Sequence, residues 1–144
     1  MENLSLADVN LVFTTLVDAF PDIVFFKDPS GAFLYANPAF ERLYGYTLEQ
    51  IKGKTDFDFL TQEEAEYFAA RDRDALAAGD KTVSEAWQLN ELTDQQECYE
   101  TTKVPVYSKQ GQFLGLLGIV RNVTSQRRAE EVLARAEVQG THPD

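Results

Sequence analysis

Apolar residues near the start of the chain recur at helical spacing. Their positions follow i, i+3, i+4, i+7 and i+8, a pattern that predicts a helix with one apolar face. The residues are Val9, Val12, Phe13, Leu16 and Val17. Pro21 ends the pattern, because the residue before a proline disfavours helical backbone. The sequence therefore predicts an amphipathic helix over residues 1–20.

Two short apolar runs separated by a turn follow this segment. Residues 23–27 read IVFFK, a continuous run that is typical of a strand buried on both faces. Asp-Pro-Ser-Gly at 28–31 suits a type I turn, since proline fixes φ at the second position and glycine accepts a positive φ. AFLYA, residues 32–36, is then the returning strand. Together these runs predict a β-hairpin.

A short helix is predicted directly after the hairpin. Asn37 can cap a helix through its side-chain oxygen, and Pro38 suits the first helical position, where an N–H group is not needed. Glu41 lies in the first turn, where its charge interacts favourably with the helix dipole. Gly45 ends the helix after PAFERLY.

A longer helix begins at a capping box. Thr61 and Glu64 have the required spacing, and Gly79 ends a helix that runs to about residue 78. Its apolar side is formed by Ala65, Phe68, Ala69 and Leu76.

Three strands and a last helix complete the pattern. The strands are TVSEAWQLNEL, ECYETTKVPVY and FLGLLGIVRNV, with a loop at 93–96 and a turn at 108–111. In TSQRRAEEVLARAEV the apolar residues return to helical spacing. The helices between the second and third strands must cover one face of the sheet. The predicted fold class is α+β: a five-stranded antiparallel sheet with short helices on one face and a flanking helix at each end.

The length of 144 residues fits one domain. We divide the chain into segments according to the predicted helices and strands. We predict the N-terminal amphipathic helix at 1–20, the core at 21–123, the C-terminal helix at 124–139 and a tail at 140–144.

The formal net charge of −11 opposes binding to nucleic acid or to anionic lipid. The longest apolar run, FLGLLGIV, is far shorter than the roughly 20 residues of a membrane helix. With no signal-peptide pattern at the N-terminus, we expect a cytoplasmic protein without direct membrane insertion.

Several segments in this order resemble a PAS domain. They are KDPSGAFLYANPAF, LYGYTLEQIKGK, TQEEAEYFAARDRDALAAG and KVPVYSKQGQFLGLLGIVRNVTSQRRAEE, over about residues 18 to 131. The resemblance implies a sensory or protein-interaction module in a larger signalling protein of a two-component or related system. The effector that follows would be a histidine kinase, a diguanylate cyclase or a similar domain.

The resemblance also implies a relay between the last strand and the exit helix. Family members often carry Asp-Ile/Val-Thr there, and this chain has Asn122, Val123 and Thr124. Asn122 can form hydrogen bonds but not a salt bridge, so the strength of the coupling is open. We expect Asn122 and Thr124 to pass a shift of the final strand to the helix.

The family's usual cofactors are only partly compatible with this sequence. Haem-binding members use a His on the long helix, and the single His of this chain is His142, in the tail. Covalent flavin members need a Cys at the start of that helix, and the single Cys is Cys98, on a predicted strand. His-ligated haem and covalent flavin are therefore disfavoured, and no metal-binding motif is present.

A non-covalent flavin or another small organic ligand is the remaining option for a sensor. The resemblance places the lone Trp on a strand beside the family's pocket, and other apolar residues could share that space, although core packing is the alternative for each. These residues are Tyr44, Phe68, Trp87, Leu89, Val104 and Leu117.

Two further functions compete with ligand sensing. A ligandless dimerisation module would bury the apolar stripe of the N-terminal helix against a second copy, giving a homodimer. A cone-shaped α+β enzyme would need a converging acid and donor, for which Asp56, Asp58 and Tyr67 are available. Turn caps and helix surface are the favoured explanation of those three residues, because Asp-x-Asp beside a helix start is common in loops. We therefore expect no catalytic residues and no enzyme activity in this chain.

Overall fold

The computed structural model of the chain describes residues 3–140, and side chains up to residue 138. Within these residues, five strands and six helices follow one another in the predicted order. The helices are α1 (Leu6–Ala19), α2 (Pro38–Tyr44), α3 (Leu48–Ile51), α4 (Asp56–Phe59), α5 (Gln62–Ala78) and α6 (Thr124–Gly140). The strands are β1 (Ile23–Lys27), β2 (Phe33–Ala36), β3 (Thr82–Asn90), β4 (Gln95–Tyr107) and β5 (Phe113–Asn122).

The strands form one sheet in the order β2-β1-β5-β4-β3, and every neighbouring pair is antiparallel. This confirms the predicted hairpin, the meander of the last three strands and the α+β fold class. Because β5 pairs with both β1 and β4, the last strand lies at the centre of the sheet. Its C-terminal end leads directly into α6.

The sheet has an inner face covered by helices and an outer face on the opposite side. The core on the inner face contains Ile23, Phe25, Tyr99 and Val120, which the strand register places side by side. The ring of Phe25 lies directly over Gly118, where a β-carbon would come within 2.2 Å of it. A glycine is therefore required at that position.

Phe25 also belongs to an aromatic cluster that joins the sheet to α2. The ring centroids of Phe25, Phe33 and Phe40 lie 5.6–6.2 Å apart in edge-on geometry. Such pairs are favourable beyond the area they bury. The cluster fixes how α2 sits on β1 and β2.

The ends of α2 and α5 agree with the sequence prediction. Asn37 caps α2 and accepts a hydrogen bond from the backbone N–H of Phe40, while Gly45 adopts a left-handed conformation at its end. Thr61 and Gly79 play the same roles for α5. Local side-chain chemistry therefore sets these boundaries.

The N-terminal helix is shorter than predicted, and its last turn attaches it to the rest of the described chain. It begins at Leu6, because the Ser5 hydroxyl and the Asp8 carboxylate form a capping box there. Val17 is buried, and its carbonyl oxygen accepts from the Asn37 side chain. The remainder of the apolar stripe is exposed.

Two segments differ from the predicted boundaries. The loop expected at 93–96 is instead a turn at 91–94, in which Asp94 adopts a positive φ of 56°. Helix α6 extends through residue 140, and residues 141–144 of the predicted tail lie outside the described part of the chain. Within residues 3–140, no helix combines the length and apolar character that crossing a bilayer requires.

Candidate functional site

The junction between β5 and α6 is held by the hydroxyl of Thr124. This oxygen accepts a hydrogen bond from the Cys98 N–H on β4 at 2.9 Å and donates to Asn122 Oδ1 on β5 at 2.5 Å. The same Oδ1 accepts from the Thr124 N–H at 3.0 Å. The first residue of α6 is thereby bonded to both strands. The predicted relay pair is brought together.

Glu97 extends this network along β4. Its Oε2 accepts from Asn122 Nδ2 at 2.8 Å and from the Tyr99 hydroxyl at 2.6 Å. Its Oε1 accepts from Asn90 Nδ2 at 3.2 Å and from the Thr93 hydroxyl at 3.4 Å. The bond from Tyr99 is the main reason that the pKa of Glu97 is lowered. Burial, assisted by Glu97, raises the pKa of Tyr99.

Two arginines fasten the start of α6 to the outer side of the β3–β4 hairpin. Arg127 Nε donates to Glu85 Oε1 at 2.8 Å, and this pairing lowers the pKa of Glu85. Arg128 donates to the carbonyl oxygen of Gln96 at 2.9 Å, and its guanidinium lies 5.9 Å from the centre of the Trp87 ring. Asn122 is uncharged and cannot form an ion pair with α6. Glu85 on β3 forms one with Arg127 instead.

A network of four charges, three of them buried, lies where α4 and α5 meet the inner face. Lys27 Nζ contacts Asp56 and Asp72, each at 2.8 Å, and Lys103 Nζ contacts the other oxygen of Asp72 at 2.5 Å. Burial lowers the pKa of Lys27, but the two carboxylates outweigh it and the net shift is upward. The ammonium group also lies 4.9 Å from the centre of the Phe33 ring.

Sequence reasoning missed this network, although a signal was present. Lys27 has the same parity along β1 as the core residues Ile23 and Phe25. Asp72 lies at helical spacing from the apolar residues Ala65 and Phe68 on α5. A charged residue on an apolar face of each element predicts a buried pair, because an isolated buried charge is very unfavourable.

The six predicted ligand-site residues do not converge on one site. Strand register puts Trp87, Leu89, Val104 and Leu117 on the outer face, opposite the helix-covered core. Tyr44 and Phe68 are on α2 and α5, where the Tyr44 ring packs on Phe40. We therefore correct the prediction: the six residues are divided between two sides of the sheet and cannot line a single cavity.

The residues considered for an enzyme have local structural partners. Asp56 belongs to the buried network, and Asp58 accepts from the Thr55 N–H at 2.8 Å. The ring of Tyr67 lies 4.9 Å from the Arg71 guanidinium. Nowhere in residues 3–140 do three or more His, Cys, Asp or Glu side chains form a group that could hold a metal ion.

An open groove of about 310 Å³ adjoins the Glu97 network. It lies between α2 and the end of the β3–β4 hairpin. Its apolar lining is Pro21, Ile23, Ala39, Leu43, Leu92 and Val120, and its polar lining is Arg42, Asn90, Glu97, Tyr99 and Asn122. The groove and the junction with α6 therefore share Glu97 and Asn122.

Comparison with known proteins decides the family. A family model described as PAS fold matches residues 17–128. The chain belongs to the PAS fold family. This PAS match includes the whole sheet, α2 to α5 and the first turn of α6, so the resemblance read from the sequence is confirmed.

Two signalling proteins are similar to this PAS domain. The methanogenesis regulatory histidine kinase FilI of Methanothrix harundinacea is 29% identical over 117 residues, which are 81% of this chain and 13% of FilI. The aerobic respiration control sensor protein ArcB of Escherichia coli is 30% identical over 122 residues, 85% of this chain and 16% of ArcB. The chain thus spans less than a fifth of either relative.

A solved PAS domain has a similar structure. The PAS domain of a protein from Colwellia psychrerythraea superposes with a TM-score of 0.62 at 25% identity, covering 82% of this chain and 99% of that one. The family, the five-stranded sheet and a role as a sensory module in signal transduction follow from these similarities. The chain described here is a PAS domain.

Proposed function

We propose that this PAS module relays a change in its core, or in its dimer packing, through α6 to a C-terminal effector domain in the cytoplasm. The observation that carries the proposal is the hydroxyl of Thr124, which bonds β4 at Cys98 and β5 at Asn122. Since these partners lie on neighbouring strands, a small sliding of one strand past the other must strain one of the two bonds.

Two arginines determine how α6 responds to such a movement of the strands. Arg127 and Arg128 hold α6 to Glu85 and to the Gln96 carbonyl on the β3–β4 hairpin. Thr124, by contrast, is tied to the centre of the sheet. A displacement of the hairpin relative to β5 therefore turns α6 about its first residue. Signalling is then a shift in population between two helix arrangements.

The similarity to FilI and ArcB supports a histidine kinase as the effector. The relay requires only that α6 continue into the next domain, so a diguanylate cyclase or another output attached to a helix would be controlled in the same way.

A homodimer through α1 is the second part of the proposal. Val9, Val12, Phe13 and Leu16 are each 49–58% exposed along one stripe, whereas Val17 is 6% exposed and packs within its own chain. Contiguous exposed apolar residues of this kind mark interaction sites. We therefore assign the interface to the first four residues. If the domain formed this interface and bound no ligand, it would be a ligandless dimerisation module.

The dimer is tested by light scattering at several concentrations. We expect a dimer that Phe13→Ser converts to monomer, while Leu133→Ser, which removes a similarly exposed apolar residue from α6, leaves it intact. A monomeric starting protein, or equal effects of both changes, would refute the assignment.

The relay is tested in the full-length protein. We expect Thr124→Ala to uncouple the effector's output from its stimulus, measured as autophosphorylation if the effector is a kinase. Ser125→Ala removes a hydroxyl from the adjacent exposed residue and should preserve regulation. Unchanged regulation in Thr124→Ala would overturn the proposal.

A further inference from the structure

The groove beside Glu97 has more unused hydrogen-bond donors than unused acceptors. The Glu97 carboxylate accepts from four donors, on Tyr99, Asn122, Asn90 and Thr93. A carboxylate offers about four acceptor sites, so its capacity is used.

The amide oxygens of the groove are also occupied. Asn122 Oδ1 accepts from the N–H and the hydroxyl of Thr124, and Asn90 Oδ1 accepts from the Leu92 N–H at 2.9 Å. Among residues 3–140, free lone pairs on the polar side chains of the groove remain on the Tyr99 hydroxyl oxygen, which donates to Glu97, and on Asn90 Oδ1, which accepts a single hydrogen bond.

Most of the unused groups are donors. Within residues 3–140 the guanidinium of Arg42 forms no hydrogen bond or ion pair. Asn90 and Asn122 each donate one amide hydrogen to Glu97. Asn90 also interacts with the Tyr99 hydroxyl, whereas the second amide hydrogen of Asn122 has no acceptor among residues 3–140. A ligand complementary to this surface must bring acceptors, and one beside a free guanidinium gains from a negative charge.

The rest of the lining sets the shape of such a ligand. Six of the eleven lining residues are apolar, among them Ile23, Leu43 and Leu92. A volume of about 310 Å³ is at the small end of ligand sites. The ligand is therefore small, with an apolar body and one anionic end.

We propose that the groove binds a small amphipathic carboxylate, with its carboxylate at Arg42 and its apolar part against Ile23, Leu43 and Leu92. A regulatory consequence rests on the proposed function: Glu97 and Asn122 line the groove and also hold Thr124, so an occupant alters the network that positions α6. Binding itself does not depend on that consequence.

The test uses three probes that share one chain and differ in charge: octanoate, 1-octanol and octylammonium. Binding to the purified chain is followed by titration calorimetry and by amide NMR shifts. We expect octanoate to bind in the millimolar range or tighter, with shifts at Leu92, Glu97 and Asn122. Arg42→Gln should weaken octanoate binding about tenfold, and Arg42→Lys should weaken it less.

Arg73→Gln is the matched control, because it removes the same charge from an exposed position on α5 outside the groove. The carboxylate assignment fails if octylammonium binds as tightly as octanoate or if the two glutamine variants behave alike. The groove assignment fails if no probe shifts the groove signals. Both results are independent of the Thr124→Ala measurement, so this inference and the relay can fail separately.

Discussion

The side-chain amide of Asn37 donates a 2.9 Å hydrogen bond to the carbonyl oxygen of Val17, and this bond ties α1 to the core. The same nitrogen donates to the Asp22 carbonyl at 2.9 Å, while Oδ1 accepts from the N–H groups of Val24 and Phe40. One fully buried side chain thus joins α1, β1 and α2.

Asn37→Asp should detach α1 while keeping the helix cap. Aspartate can accept from Phe40 but cannot donate to Val17, and it adds a buried charge. We expect a loss of at least about 2 kcal/mol in the free energy of unfolding. Hydrogen exchange should also accelerate in α1. Asn10→Asp, on the exposed side of α1, should change stability by less than about 0.5 kcal/mol; equal effects would contradict the role given to Asn37.

Lys27→Met should be strongly destabilising. The change leaves the carboxylate of Asp56 buried without its cation, a situation that costs about 3–5 kcal/mol. Denaturant unfolding measures the loss. The control is Lys81→Met at an exposed position, for which we expect a change within about 0.5 kcal/mol. A loss as small as that of the control would show that the network contributes little.

Glu97 should make stability depend on acidic pH. Its pKa is lowered from the ordinary 4.5, chiefly by the Tyr99 hydroxyl, so the folded state binds its proton less readily than the unfolded state. Its contribution is complete above that ordinary value and is lost as the pH falls through the lowered pKa. The stability difference between wild type and Glu97→Gln should therefore be constant near neutral pH and shrink below pH 4.5.

Glu91→Gln provides the comparison for this pH series. Its side chain lies exposed in the β3–β4 turn and accepts no hydrogen bond within residues 3–140. The difference between wild type and this variant should not vary in the same way. A parallel pH response would assign the effect to the general charge of the domain.

Glu85→Gln should loosen α6 without unfolding the domain. The change removes the charge that pairs with Arg127, so amide exchange should quicken in the first turns of α6. Glu130→Gln removes the other partner of Arg127, which lies on α6 itself, and should leave docking unaffected. If both variants exchange alike, the contact with β3 does not hold the helix.

Local chemistry made much of the fold predictable. The caps at Asn37 and Thr61 and the glycines at 45 and 79 act within a few residues of the chain, so their effects can be read from the sequence. The meander of the last three strands is equally local. The relay pair Asn122 and Thr124 is predicted from the resemblance to PAS domains, which places such a pair where the last strand meets the exit helix.

The faces of the sheet were harder to assign. Alternation groups Val83, Trp87 and Leu89 on one face of β3 but does not say which face the helices cover. On β3 and β4 the inner face carries Lys103 and Ser84, and the outer face is the more apolar one. Apolar residues were therefore assigned to a cavity that they do not line. The partners of Lys27 are distant in sequence, so only the three-dimensional structure reveals them.

The charges of the buried Lys27, Asp56 and Lys103 and of the half-buried Asp72 cancel to an electroneutral set. A nonpolar guest that pushed Asp72 aside would deprive both ammonium groups of a counterion at once, at a cost of several kcal/mol. The inner face beside α4 and α5 is therefore electrostatically unfavourable for an uncharged occupant, because each charge there needs its partner.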